Sequence, residues 1–111
     1  MVRHIVAFRL SANNAAQRAA DARQIQSDLE SLRGEIDEIL DLHVGIDLGY
    51  VEGHWEVVLV SEFADNAALE RYQANPKHVQ VAGAISSLVS DRAVVDYEVP
   101  NLADLSDRKA R

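Results

Sequence analysis

The segment Trp55–Phe63 is apolar on both of its sides, and this constrains the fold more than any other feature of the chain. With the two-residue period of a strand, Val57, Leu59 and Ser61 point one way and Val58 and Val60 the other. A helix layer covers one face of a sheet. A strand that is apolar on both faces therefore needs a second cover, and a chain of 111 residues, enough for one hydrophobic core, cannot also supply it.

The rest of the pattern supplies the other strands and the helices. His4, Val6, Phe8 and Leu10 alternate with Arg3, Ile5, Ala7 and Arg9, which predicts a first strand over residues 2–10. Ala22, Ile25, Leu29 and Leu32 recur at three- and four-residue steps behind Asn14, a capping residue with Gln17 three positions on, and ahead of Gly34. A helix over about 14–33 follows. Leu40, Leu42, Val44 and Ile46 alternate with polar residues as a second strand, and a turn containing Gly49 and Gly53 joins it to Trp55–Phe63 as a hairpin. Asp65 caps a helix carrying Ala68, Leu69 and Tyr72, which Asn75–Pro76 interrupts, and a second helical piece runs from Lys77 to about Val89. Ala93, Val95, Tyr97 and Val99 alternate with Val94, Asp96 and Glu98 in a fourth strand stopped by Pro100. Residues 1–100 thus form one domain and residues 101–111 a polar, poorly ordered tail.

The order βαββαβ specifies a ferredoxin-like α+β fold, a four-stranded antiparallel sheet with its helices on one side. The open face then needs a partner. A homodimer whose two sheets meet face to face, closing a barrel, covers Val58 and Val60 without another protein.

Composition excludes several kinds of chemistry. The chain has no cysteine, so disulfides, thiolate nucleophiles and thiolate metal sites are absent. Its net charge of −7, low aromatic content and lack of a basic cluster disfavour nucleic acid. Arg3, His4 and Arg9 interrupt what would be the apolar core of a signal peptide, and no apolar run approaches the ~20 residues of a membrane helix. A soluble, cytoplasmic protein is expected, with no membrane partner. Dinucleotide, phosphate-loop, zincin and nucleophile-elbow motifs are missing, and no two histidines share a helical spacing that suits a metal, so neither cofactor nor metal is expected.

Four histidines remain. His43 shares a strand face with Asp41 and Asp47 as a solvated side chain, and His54 sits at a strand entrance between Gly53 and Trp55. His4 begins the row of Val6, Phe8 and Leu10 and points inward, either as a core histidine bonded to backbone or as a pocket group. His78 follows the break at Pro76, with Tyr72 close to two helical turns before it, so both can look toward one end of the sheet.

The segments H-I-V-A-F-R-L, W-E-V-V-L-V-S-E-F, A-L-E-R-Y-Q-A-N-P-K-H and V-V-D-Y-E resemble the stress-responsive A/B barrel (Dabb) family of dimeric α+β barrel proteins across residues 3–99. The resemblance implies the homodimer that the sheet pattern requires. It also implies a site, because a plant polyketide cyclase of the family performs a cofactor-free aldol cyclisation with a Tyr and a His that fall on Tyr72 and His78. Its first-strand pocket His falls on His4, followed by Val6 and Phe8, while its third-strand pocket His falls on Val57. The first His of the family's H-P-x-H segment is Asn75 here.

By this resemblance His78 and Tyr72 are the catalytic candidates, and His4, Val6, Phe8 and Val57 the substrate-binding ones. The implied function is a cofactor-independent cyclase, lyase or isomerase. His78 would remove a proton next to a carbonyl, and Tyr72 would donate to the developing oxyanion. The alternative is a non-catalytic, stress-associated or small-molecule-binding homodimer, in which Tyr72 and His78 bond each other or the backbone and fix the helix break.

Overall fold

A computed structural model describes residues 1–100, so the expected tail at 101–111 lies outside the described residues. The elements run β1 (Val2–Leu10), α1 (Ala15–Glu30), β2 (Asp41–Ile46), β3 (Val57–Phe63), α2 (Asn66–Ala74), α3 (Pro76–Ser86) and β4 (Val89–Glu98). The four strands form one antiparallel sheet in the order β2-β3-β1-β4, the ferredoxin-like arrangement. Among the described residues no helix is long and apolar enough to cross a membrane.

The helices begin where side chains can accept the free backbone N–H groups. Asn14 accepts from the backbone of Gln17 at 2.8 Å, and Asp65 from that of Ala68 at 2.8 Å. The reciprocal arm of a capping box does not form at α1, because the Gln17 amide donates instead to Asp21. α1 stops at Glu30, three residues before the expected end, and the chain unwinds through a turn in which Gly34 has φ +81°. Leu32 and Ile36, within and just after that turn, are buried, so the apolar stripe continues into the core although the helix does not.

One sheet face and the helices enclose the core. Val6, Phe8, Leu42, Val44, Val57, Leu59 and Phe63 meet Ala22, Ile25, Leu29, Ala68, Leu69 and Tyr72 there. Edge strand β2 is tied to α1 and the turn after it by side chains: Gln26 donates to the Val44 carbonyl at 2.9 Å and Arg33 to that of Leu42. These bonds occupy acceptors that an open edge would present to another strand.

The opposite face carries Ile5 and Ala7 on β1, paired with Val60 and Val58 on β3 and with Val95 and Ala93 on β4. No element among the described residues covers it. Ile5, Ala7, Val58 and Val60 are half-buried only by their neighbours, and Val95 and Tyr97 are 59% and 41% exposed. The two-sided apolar character of the third strand is therefore real, and it reaches across three strands.

Phe63 is fully buried and its ring centroid lies 4.8 Å from that of Tyr72, so it supports the helix that carries the site. Phe63→Ala is expected to cost about 3–5 kcal/mol in chemical denaturation. A loss below about 1 kcal/mol would show that the core closes over the deletion.

Candidate active site

The site is assembled by strand register. On the helix side of the sheet, His4, Val6 and Phe8 of β1 stand directly across from Asp96, Val94 and Arg92 of β4. Together with α3 and the end of α2, all of these residues except Asp96 line a cavity of about 500 Å³. Its wall includes His4, Val6, Phe8, His78, Arg92 and Val94.

His78 reaches the cavity because the helix breaks. Pro76 excludes the helical conformation for the residue before it, and Asn75 adopts φ −63°, ψ 132°. Asn75 then serves both helices, its backbone N–H donating to the Tyr72 carbonyl at 3.2 Å and its side chain accepting from Lys77 at 2.9 Å. This capping work explains why Asn is tolerated where the family pattern has His. The restarted helix brings the His78 ring to 4.5 Å from that of Tyr72, centroid to centroid.

His78 is tied to backbone through one nitrogen. Nδ1–H donates to the Gln73 carbonyl at 3.1 Å, which leaves Nε2 as the unprotonated nitrogen, without a partner among the described residues. Burial holds its pKa below the usual 6.5, and the nearby His4 and Arg92 push it further down against the opposing Gln73 bond. A neutral imidazole facing a cavity at neutral pH is suited to accept a proton.

His4 is 4% exposed, and its Nδ1 meets the Asp96 carboxylate at 2.5 Å. The carboxylate can only accept, so Nδ1 donates and the His4 ring is fixed in place. The core-histidine alternative for His4 is thus replaced by a side-chain pair.

Tyr72 is fully buried, and its hydroxyl is a buried polar atom with no hydrogen-bond partner. Burial pushes its pKa up to about 12, so the hydroxyl stays protonated. Tyr72 and His78 stack at a tilt without bonding each other, and Tyr72 lies behind the rings of His78 and His4 rather than on the cavity surface.

Val57 departs from the expected pocket. It is 2% exposed in the core, next to Ile46 on β2 and Phe8 on β1, and borders a separate hollow of about 220 Å³ beside Trp55. It shares a rung with Phe8 but lies one strand further from β4, and β3 contributes Leu59 to the cavity lining instead. His43 is exposed on the outer face, and His54 pairs with Asp47 at 3.1 Å at the surface. Among the described residues no group of three His, Asp or Glu side chains is arranged to hold a metal.

Sequence reasoning missed Asp96, Arg92 and Gln73. The first two were legible in part: alternation in V-S-D-R-A-V-V-D-Y-E puts them on one row with Val94, but only the pairing of β4 with β1 shows that this row faces His4. Gln73 contributes through its backbone carbonyl, for which no side-chain pattern exists.

A ferredoxin-like antiparallel sheet with a cavity between its helices and the face that carries His4 is the architecture of a class of small α+β domains. The chain belongs to the stress responsive A/B barrel domain family, whose model matches residues 2–99. Its fold is shared with a dimeric protein of unknown function from Bacteroides fragilis, with 28% identity, a TM-score of 0.78 and coverage of 88% of this chain and 95% of that one. A dimeric ferredoxin-like protein of unknown function from Thermobifida fusca is 24% identical, with a TM-score of 0.75 and coverage of 88% and 90%. A hydroxynitrile lyase from Passiflora edulis is 21% identical, with a TM-score of 0.73 and coverage of 90% and 94%. No curated protein matches the sequence.

An unpartnered buried hydroxyl destabilises the fold, so Tyr72→Phe is expected to raise stability by about 1–3 kcal/mol. Thermal or denaturant unfolding measures it, and a loss of similar size would reveal a partner for the hydroxyl.

Proposed function

We propose that this chain forms a homodimer that binds a small carbonyl compound and acts on it without a cofactor, as a cyclase, lyase or isomerase. One observation carries the reading: His78, its Nδ1–H held by backbone and its Nε2 unpartnered among the described residues, lines a cavity of about 500 Å³ together with His4, whose ring Asp96 holds. Such a cavity is of the size that encloses small ligands.

In the proposed reaction Nε2 of His78 takes a proton from the carbon next to the carbonyl. The electron pair of the broken C–H bond moves to the carbonyl oxygen as an enolate. Tyr72, a donor without an acceptor, hydrogen-bonds that oxygen when the ligand penetrates between the His78 and His4 rings. The enolate carbon then attacks a second carbonyl, and the resulting alkoxide takes the proton back from the imidazolium; a lyase runs the same steps in reverse. His4, fixed by Asp96, positions the ligand. The lyase from Passiflora edulis has the same fold, which supports the reading only at the level of architecture.

A second reading is favoured by the place of Tyr72 behind the cavity wall: a binding protein that holds the same ligand without turnover. Deuterium incorporation from D2O into 4-phenylbutan-2-one, followed by NMR, separates the two. Catalysis predicts protein-dependent exchange that His78→Ala lowers by about 10²–10⁴-fold and Tyr72→Phe also lowers. No exchange above buffer, or exchange indifferent to His78, favours the binding protein.

The homodimer is supported by the uncovered apolar face and by the dimeric relatives from Bacteroides fragilis and Thermobifida fusca. Val60→Asp places a charge at the centre of that face and is expected to yield a monomer in sedimentation at micromolar concentration. An unchanged dimer would move the interface elsewhere, and a wild-type monomer would remove it.

A further inference from the structure

The cavity floor has a polarity gradient that bears on what enters it. Along it run three rungs of the β1–β4 pairing, Phe8 with Arg92, Val6 with Val94, and His4 with Asp96, of which Asp96 alone stands outside the lining. Arg92 and Asp96 are four strand residues apart, roughly 13 Å, too far to pair with each other. The acid at one end is already bonded to His4, whereas the guanidinium of Arg92 has no hydrogen-bond or ion-pair partner among the described residues; its backbone N–H alone is bonded, to Asp91.

Most basic side chains among the described residues are engaged, Arg23, exposed on α1 and away from the cavity, being the other exception. Arg3, Arg33, Arg71 and Lys77 each meet a carboxylate, and Arg9 lies over the Trp55 ring at 4.8 Å. Arg92 instead lines the cavity beside Phe8, Val89 and Val94. Its fork of donors matches a carboxylate in two parallel hydrogen bonds.

We propose that the ligand of this cavity is an oxo-carboxylic acid, its carboxylate on Arg92 and its carbonyl near His78, joined by an apolar spacer lying on Val6, Phe8 and Val94. This rests on the proposed function and names its substrate class. The middle rung, apolar on both strands, fits a hydrocarbon spacer and not a second charged group. Arg92 also helps hold His78 neutral, so a carboxylate that neutralises Arg92 on binding raises the His78 pKa.

The probe is 5-oxo-5-phenylpentanoate, compared with its primary amide, which keeps the shape and loses the charge. Binding to the full chain is followed by ¹H–¹⁵N chemical shifts. The carboxylate is expected to bind about tenfold or more tightly than the amide, with shifts at Val6, Phe8 and Val94. Arg92→Gln, a change at an exposed position of an edge strand, should abolish this preference, and His78→Gln should retain it. In wild type the ring protons of His78 should titrate at higher pH when the carboxylate is bound and not when the amide is.

Equal affinity for the two probes, failure of both to bind in the millimolar range, a preference that survives Arg92→Gln, or shifts outside the cavity overturns the inference. Ketone exchange by wild type without carboxylate preference defeats this assignment and leaves the proposed function standing. Carboxylate preference without exchange does the reverse.

Discussion

Everything in the site depends on the register between β1 and β4. β1 is bonded on both sides, to β3 and to β4, and its alternation is thereby fixed twice. A slip of one residue against β4 would put Val95 across from His4 and Asp91 across from Phe8, or, in the other direction, Tyr97 and Ala93. The His4 ring would then lose its carboxylate partner, and the cavity its guanidinium. The pairing stays regular from Val2 through Arg9 and shifts only between Arg9 and Leu10, beyond the last cavity rung.

The second determinant is the Asn75–Pro76 break, which acts through the proline ring and the capping bonds of Asn75. A continuous helix would carry His78 past Tyr72 along one axis; the extended residue at 75 and the restart at Pro76 turn it back, so that the Gln73 carbonyl at the end of α2 receives its Nδ1–H. The same bond selects the tautomer. A nitrogen that would otherwise share its proton with either position is thereby left free toward the cavity.

The fold was readable from periodicity because its strands alternate cleanly and its helices open with strong caps at Asn14 and Asp65. The boundary at Glu30 was not, since the apolar stripe continues through Leu32 and Ile36 after the helical bonds end. In the site, His4, Val6, Phe8 and His78 were visible as inward-facing or loop-adjacent residues. Val57 was placed in the pocket by likeness to a relative, where the strand's own position sends it into the core. Asp96 and Arg92 were hidden for a different reason. Alternation reveals which residues of a strand share a face, but not which face of the sheet that is, and their row is polar enough to pass for the wet side.

The period of two also separates the two jobs that the sheet performs. His4, Val6 and Phe8 build the cavity, and the residues between them, Ile5 and Ala7, build the outer apolar face with Val58, Val60, Ala93 and Val95. The proposed chemistry and the proposed association thus sit on opposite sides of the same backbone, within one strand's thickness. Side chains on one face can change without touching those on the other. What the faces share is the register itself: pressing a second sheet against Ile5, Val60 and Val95 rigidifies the strands whose relative position holds Asp96 on His4. A partner on the outer face therefore bears on the site through the spacing of β1 and β4, and edge strand β4, whose side chains are almost all exposed, is where that support matters most.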